Sequence, residues 1–246
     1  MNLDNRVRLF VVLAAAFCTA LIVADLIGVK LFEVHLGSLV AVMPVGMIAF
    51  PVTFVLTDLL HEFYGKKAAR FVTWLGLFMS LFTFATISIA TAIEWAPMTR
   101  APDYRGTVES SFNNVFGTSQ RILIASMVAY VLSQLCDIAV FHLLKRLSHN
   151  RMLWLRSTGS TVVSQLIDTT VFQLIAWLAV LPTDVVINII VTSYMVKLLV
   201  AVGLTPIIYA GHALVERWLG MKPIQLTPGG EPIFEDSDKS LGHPVG

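Results

Sequence analysis

Charge is scarce in this sequence. Asp, Glu, Lys and Arg make up only 13% of 246 residues, where a soluble domain carries about a quarter. Mean hydropathy is +0.77. Cysteine is scarcer still: Cys18 and Cys136, each inside an apolar run, which argues against a disulfide framework and for small buried thiols. Net charge is +1, so nothing points to nucleic acid. No GxxxxGK[ST] occurs, so the chain is not expected to hydrolyse ATP itself. HExxH and GxSxG are missing too, and "STGSTV" around Ser160 has the wrong spacing for a nucleophile elbow. An intramembrane enzyme using Ser160 or Ser164 with His142 or His212 is the weakest reading, because serine in a helix usually packs. No enzyme activity, metal centre or cofactor is expected. His61 reads as a lone interfacial histidine. The N-terminus has no short apolar run with a small-residue cleavage site, so the first run reads as a retained helix rather than a signal peptide.

What is present is length of apolar chain. Nearly uncharged runs recur from Val7 to Trp218, and about 20 such residues cross a bilayer. Lipid offers an open backbone no hydrogen-bond partners, so the spans must be helices. The fold expected is all-α, a polytopic membrane protein with six transmembrane helices at about 7–30, 37–62, 69–94, 119–145, 157–181 and 186–218. A polar loop, "APMTRAPDYRGTVESSFNNVFGTS", separates the third from the fourth. Residues 1–222 form the membrane domain, and 223–246, rich in Pro, Gly and acid, read as a disordered cytoplasmic tail. With the N-terminus inside, twelve Lys and Arg fall on cytoplasmic segments and four on outer flanks, with Lys197 inside the sixth helix. That bias places both termini in the cytoplasm.

Two stretches are near copies: "SQLCDIAVFHLL" from Ser133 and "SQLIDTTVFQLI" from Ser164. They fall on the fourth and fifth helices and are symmetric about the basic loop near Arg151. Gln134 therefore matches Asp168 in depth, and Asp137 matches Gln165, roughly 12–17 Å from the cytoplasmic helix ends. Gln and Asp three apart share a face, and Ser133, Asp137, Phe141 and Ser164, Asp168, Phe172 form stripes at i, i+4, i+8. Inverted repetition about a midplane site is a transporter plan. A polar zipper between helices would explain Ser and Gln. It explains two aspartates less well, since an acid at the bilayer centre costs at least ~2.5–3.5 kcal/mol.

Other helices add candidates. In "FPVTFVLTDLLHEFYGKK", Pro51 is expected to kink or break the helix, and Phe54, Asp58 and Glu62 share a face. Asp58 is the deeper acid; Glu62 has an i, i+4 salt bridge to Lys66 as its plain alternative. In "TSYMVKLLVAVGLTPIIYAGHALVE", Lys197 lies roughly 16 Å deep and needs a carboxylate: Asp58, Asp137 or Asp168. A buried ion pair fixing register is its plain alternative. Tyr194 shares its face, and Pro206 kinks the helix further on. Ala16, Ala20 and Ala24 make a small-residue stripe for close packing, with room for a partner, a homodimer included. Asp25 and Lys30 lie near the outer end, where an acid costs less.

The stretches "FPVTFVLTDLLHEFYGKKAAR", "SQLCDIAVF", "RSTGSTVVSQLIDTTVF" and "YMVKLLVAVGLTPIIY" make the chain resemble the queuosine precursor transporter family, also called vitamin uptake transporters, over about residues 7–220. The resemblance implies six helices and uptake of 7-cyano-7-deazaguanine or its aminomethyl relative, precursors of a modified tRNA base, across the bacterial inner membrane. The residue types suit such a cargo. One carboxylate among Asp58, Asp137 and Asp168 can accept the adjacent N1 and 2-amino donors of a deazaguanine. Gln134, Gln165 or Lys197 can donate to its carbonyl. Phe54, Phe141, Phe172 or Tyr194 can stack on its ring. A secondary carrier is the first reading. The alternative is a membrane substrate-binding subunit of an energy-coupled vitamin or nucleobase uptake system, docked through the alanine stripe.

Overall fold

A computed structural model describes residues 4–36, 39–101, 103–147, 153–220, 225–226 and 232–233. Six helices carry the described chain: α1 (Asn5–Ile27), α2 (Phe50–Ala92), α3 (Glu109–Leu147), α4 (Leu153–Trp177), α5 (Thr183–Gly203) and α6 (Thr205–Leu219). Among the described residues, five segments are long and apolar enough to cross a membrane: Asn5–Ile27, Val45–Gly65, Lys67–Ala92, Glu109–Cys136 and Thr183–Gly203. Val162–Trp177, on α4, is a shorter apolar helix. Phe71, Trp74, Phe78, Phe82 and Ile89 run down α2, each more than half exposed. Such a stripe is costly in water and at home in lipid.

The second expected helix is corrected at its start. Residues 39–44 are not helical: Leu31–Leu36 (β1) and Leu39–Pro44 (β2) pair antiparallel, with Leu36 opposite Leu39. Apolar content alone does not separate a strand from a helix in a run this short. A Gly-Ser dipeptide flanked by β-branched and aromatic residues is a hairpin signal. A short 3-10 turn, Val45–Ala49, then leads into α2. Pro51 does not kink the helix. It sits in the first turn of α2, where a missing N–H leaves no helical bond unmade. The break comes at Gly65, with φ 76° and ψ 174°, a region essentially restricted to glycine. Both sides of that break pack on α1: Leu60, Phe63, Ala69 and Val72 join Leu13, Ala14 and Phe17 in one core. Gly76 gives α1 its approach, because a Cβ there would lie 3.0 Å from Phe17 and Leu21.

The fourth expected helix starts about ten residues early. Its first turns carry Phe112 and Phe116, four apart and in ring contact at 4.5 Å, with Trp95 edge-on to Phe112 at 5.5 Å. That apolar face outweighs the polar residues between. α3 and α4 make the most extensive helix pair, clamped by Arg121 Nε, which donates to the Ile175 carbonyl at 2.7 Å. The sixth expected helix is two. α5 ends at Gly203, and α6 begins at Thr205 with Pro206 in its first turn. Proline interrupts the ladder there. The hairpin is tied to α5 through Asn188, whose Oδ1 accepts from the Val42 N–H at 3.3 Å and whose Nδ2 donates to the Val40 carbonyl at 3.1 Å. Most of residues 223–246, expected as a disordered tail, lies outside the described residues. Gln225–Leu226 and Pro232–Ile233 form a short antiparallel pair (β3, β4).

Candidate functional site

A cavity of about 780 Å³ opens between α1, the turn after the hairpin, α2, α3, α4 and α5. Its walls follow from local geometry. Close packing of the turn against α1 forms one end: a Cβ on Gly46 would fall 2.4 Å from the Ala24 carbonyl oxygen, so only glycine lets the backbones meet. Ala24, from the small-residue stripe, is thus occupied within the chain at this point. On α2, Thr53 and Thr57 turn their hydroxyls back to carbonyls of their own helix at 2.9 and 2.7 Å, and both line the cavity with Phe54 and Asp58.

Seven of the residues singled out in the sequence line this cavity: Phe54, Asp58, Gln134, Gln165, Asp168, Phe172 and Lys197. Ser133 and Ser164, the first residues of the two copies, are buried on the lining. Gln134 is more open than Gln165. Glu62 and Tyr194 are not among the described lining residues. Tyr194 instead donates its hydroxyl to the Val162 carbonyl at 3.2 Å, on α4. Asp137 and Phe141 are on α3, but their side chains lie outside the described residues, as does that of Lys66. His61 also lines the cavity.

Two carboxylates of the lining have partners. Lys197 Nζ donates to Asp168 Oδ2 at 3.0 Å and sits 5.4 Å from the centre of the Phe50 ring. The lysine thereby finds one of the three acids it requires, plus an aromatic face for its remaining charge. Asp58 Oδ2 lies 3.3 Å from His212 Nε2 on α6. The histidine nitrogen is buried without an aligned hydrogen bond, so this is a contact of charge and distance. The ring of Phe63 meets His212 edge-on at 5.6 Å and holds it in place.

The sequence reading missed a third acid. The position of Asp25 in the sequence predicts an acid near the outer end of its helix, at low cost. It is instead 5% exposed, on the cavity lining, with Oδ2 lacking a hydrogen-bond partner. Ser126 on α3 bonds its side chain. Thr169 and Gln173, one turn apart on α4, are buried lining residues too. One end of the Gln173 amide meets Ser193 at 3.1 Å; its other end and the Thr169 hydroxyl have no partner. Packing of α1 on α3 and of α4 on α5 decides these environments, and no local spacing in the sequence encodes it. Among the described residues, no group of three or more His, Cys, Asp or Glu is arranged to hold a metal.

Small-molecule sites are concave, with aromatic and apolar walls and a few placed polar groups, and this cavity has that make-up. The family described as "Putative vitamin uptake transporter" matches residues 44–211. The chain belongs to this family. A Bacillus subtilis member named "Probable queuosine precursor transporter" is 32% identical over 197 residues, covering 80% of this chain and 81% of that protein. Relatives from Haemophilus influenzae and Escherichia coli, named "Probable queuosine precursor transporter" and "Queuosine precursor transporter", are each 30% identical over 132 residues. The matches span 54% of this chain and 51% and 54% of those two proteins. No solved structure matches the chain. The matched span of the family takes in the turn after the hairpin, all of α2 to α5 and the start of α6, and so most of the cavity wall. With these relatives and its apolar helices, the chain is a multi-pass bacterial membrane protein.

Proposed function

We propose that this chain is an inner-membrane importer of 7-cyano-7-deazaguanine or its aminomethyl relative, working by secondary transport rather than catalysis. It crosses the membrane six times, α4 providing the crossing beyond the five long apolar segments, with both termini in the cytoplasm. The names of the relatives give the class of cargo. The observation that carries the reading is the cavity itself: about 780 Å³, within the range of small-molecule sites, with Phe54 and Phe172 as ring-stacking faces and Asp58, Gln134, Gln165, Asp168 and Lys197 as polar contacts. A flat bicyclic base with donors on one edge and a carbonyl on the next uses each of these residue types. The Lys197–Asp168 pair joins α5 to α4 across the cavity, so exposure of the site to alternate sides must move or break it.

The test is uptake of labelled 7-cyano-7-deazaguanine by proteoliposomes holding this chain alone. Accumulation above empty vesicles, competed by the unlabelled base, is the expected result. Binding without uptake in the same vesicles would replace the carrier with a binding subunit of an energy-coupled system. Absence of both would remove the cargo assignment.

A further inference from the structure

The described carboxylates of the cavity are not equivalent. Asp168 is committed to Lys197 at 3.0 Å. Asp58 faces His212 at 3.3 Å, and its side chain is 40% exposed. Asp25 is 95% buried on the same lining, and its Oδ2 has no partner. A buried acceptor left open is expensive, and a buried carboxylate more so. Such a group persists where something with donors completes it. Around the same space, the Thr169 hydroxyl and one end of the Gln173 amide are also buried and open. Three open polar groups from two helices line one cavity, and all three are more than nine-tenths buried.

We infer that Asp25 is the residue that reads the cargo, its carboxylate accepting the ring N–H and exocyclic amino donors of a guanine-like edge, with Thr169 and Gln173 taking the adjoining carbonyl. This rests on the importer reading and assigns its specificity to one side chain. The chemistry favours Asp25 over its neighbours. A carboxylate already neutralised by a lysine gains little from two neutral donors. An open one gains two charge-assisted hydrogen bonds, stronger than neutral ones. Ser126 bonds the Asp25 side chain and fixes the direction in which its open oxygen points. Asp168 is near enough to Asp25 for their charges to interact. Its pairing with Lys197 moderates that repulsion.

The class of ligand follows. A base presenting both donors fits; hypoxanthine, with the ring N–H but no amino group, offers one; adenine offers an acceptor where the carboxylate needs a donor. Purified full-length chain in nanodiscs is loaded with labelled 7-cyano-7-deazaguanine and competed with guanine, hypoxanthine and adenine. In the native chain guanine should compete about tenfold better than hypoxanthine, as loss of one hydrogen bond to a charged group predicts, and adenine should not compete at all. Asp25→Asn should weaken binding by roughly ten- to a hundredfold and bring guanine and hypoxanthine close together. If that variant does not purify as a single species, Asp25→Glu is measured instead; it should also lose the preference, because the longer side chain displaces the carboxylate. Unchanged affinity and unchanged ratios in the variant overturn the Asp25 assignment and leave the importer reading standing. Equal competition by hypoxanthine in the native chain overturns it as well. A native chain that binds none of these bases overturns the cargo reading and the assignment together.

Discussion

Asp168 and Asp25 line the same cavity, and each places a carboxylate in the membrane domain, yet they are satisfied in opposite ways. Asp168 receives a full positive charge from Lys197, 29 residues along the chain on the next helix. Asp25 receives a hydroxyl from Ser126 and keeps one oxygen open. The first arrangement ties α5 to α4; the second leaves an acceptor open on the cavity. Burial alone does not tell a structural acid from a binding one. What separates them is whether the protein supplies every partner.

The largest effect should come from breaking the satisfied member. Asp168→Asn keeps the shape and an acceptor for Lys197 Nζ but removes the charge, and uptake should fall to background while the protein still inserts and purifies; normal transport by this variant would show the charge to be dispensable. Lys197→Met leaves Asp168 uncompensated. A drop of about 3–5 kcal/mol in stability is expected, read from a denaturant melt in detergent. The double change Lys197→Met with Asp168→Leu should regain most of that loss without regaining uptake.

Smaller effects probe the frame around Asp25. Gly46→Ala drives a Cβ toward the Ala24 carbonyl, beside Asp25, and should cost about 1–3 kcal/mol, as overpacking does. The same melt reports it, and an unchanged midpoint would mean the turn can lift off α1. The smallest change is expected at Gly117 on α3, where a Cβ meets nothing within 4 Å. Gly117→Ala should add roughly 0.5–1 kcal/mol through helix propensity alone and leave uptake intact.

The elements legible in the sequence were those whose signal is local. The Gln-to-Asp spacing of the two copies and the depth of Lys197 follow from helix geometry within one segment. Seven of the residues singled out that way line the cavity. Lys197 was matched to three acids, and spacing could not choose among them, because the choice depends on how α5 lies against α4. Two local signals were misread rather than hidden. The run from Leu39 to Pro44 is apolar enough to begin a helix, but it pairs as a strand with Leu31–Leu36. Pro51 has the chemistry of a breaker, but in the first turn of α2 a proline leaves no helical bond unmade. Asp25 was not recoverable from its own neighbourhood. Its burial depends on the chain returning after the hairpin, so that Gly46 closes on Ala24.

Gly65 has a consequence of arithmetic. A continuous helix of 43 residues would run about 65 Å, roughly twice the ~30 Å hydrocarbon thickness of a bilayer. No membrane accommodates such a rod upright. One glycine with φ 76° divides it, and with the 3-10 turn ahead of α2 the chain offers two apolar segments, Val45–Gly65 of 21 residues and Lys67–Ala92 of 26, each the length of a single crossing. In the six-crossing reading proposed above, that division adds one crossing and reverses the sense in which every later helix traverses the membrane. The compartment reached by the end of the chain therefore depends on one residue that lacks a side chain.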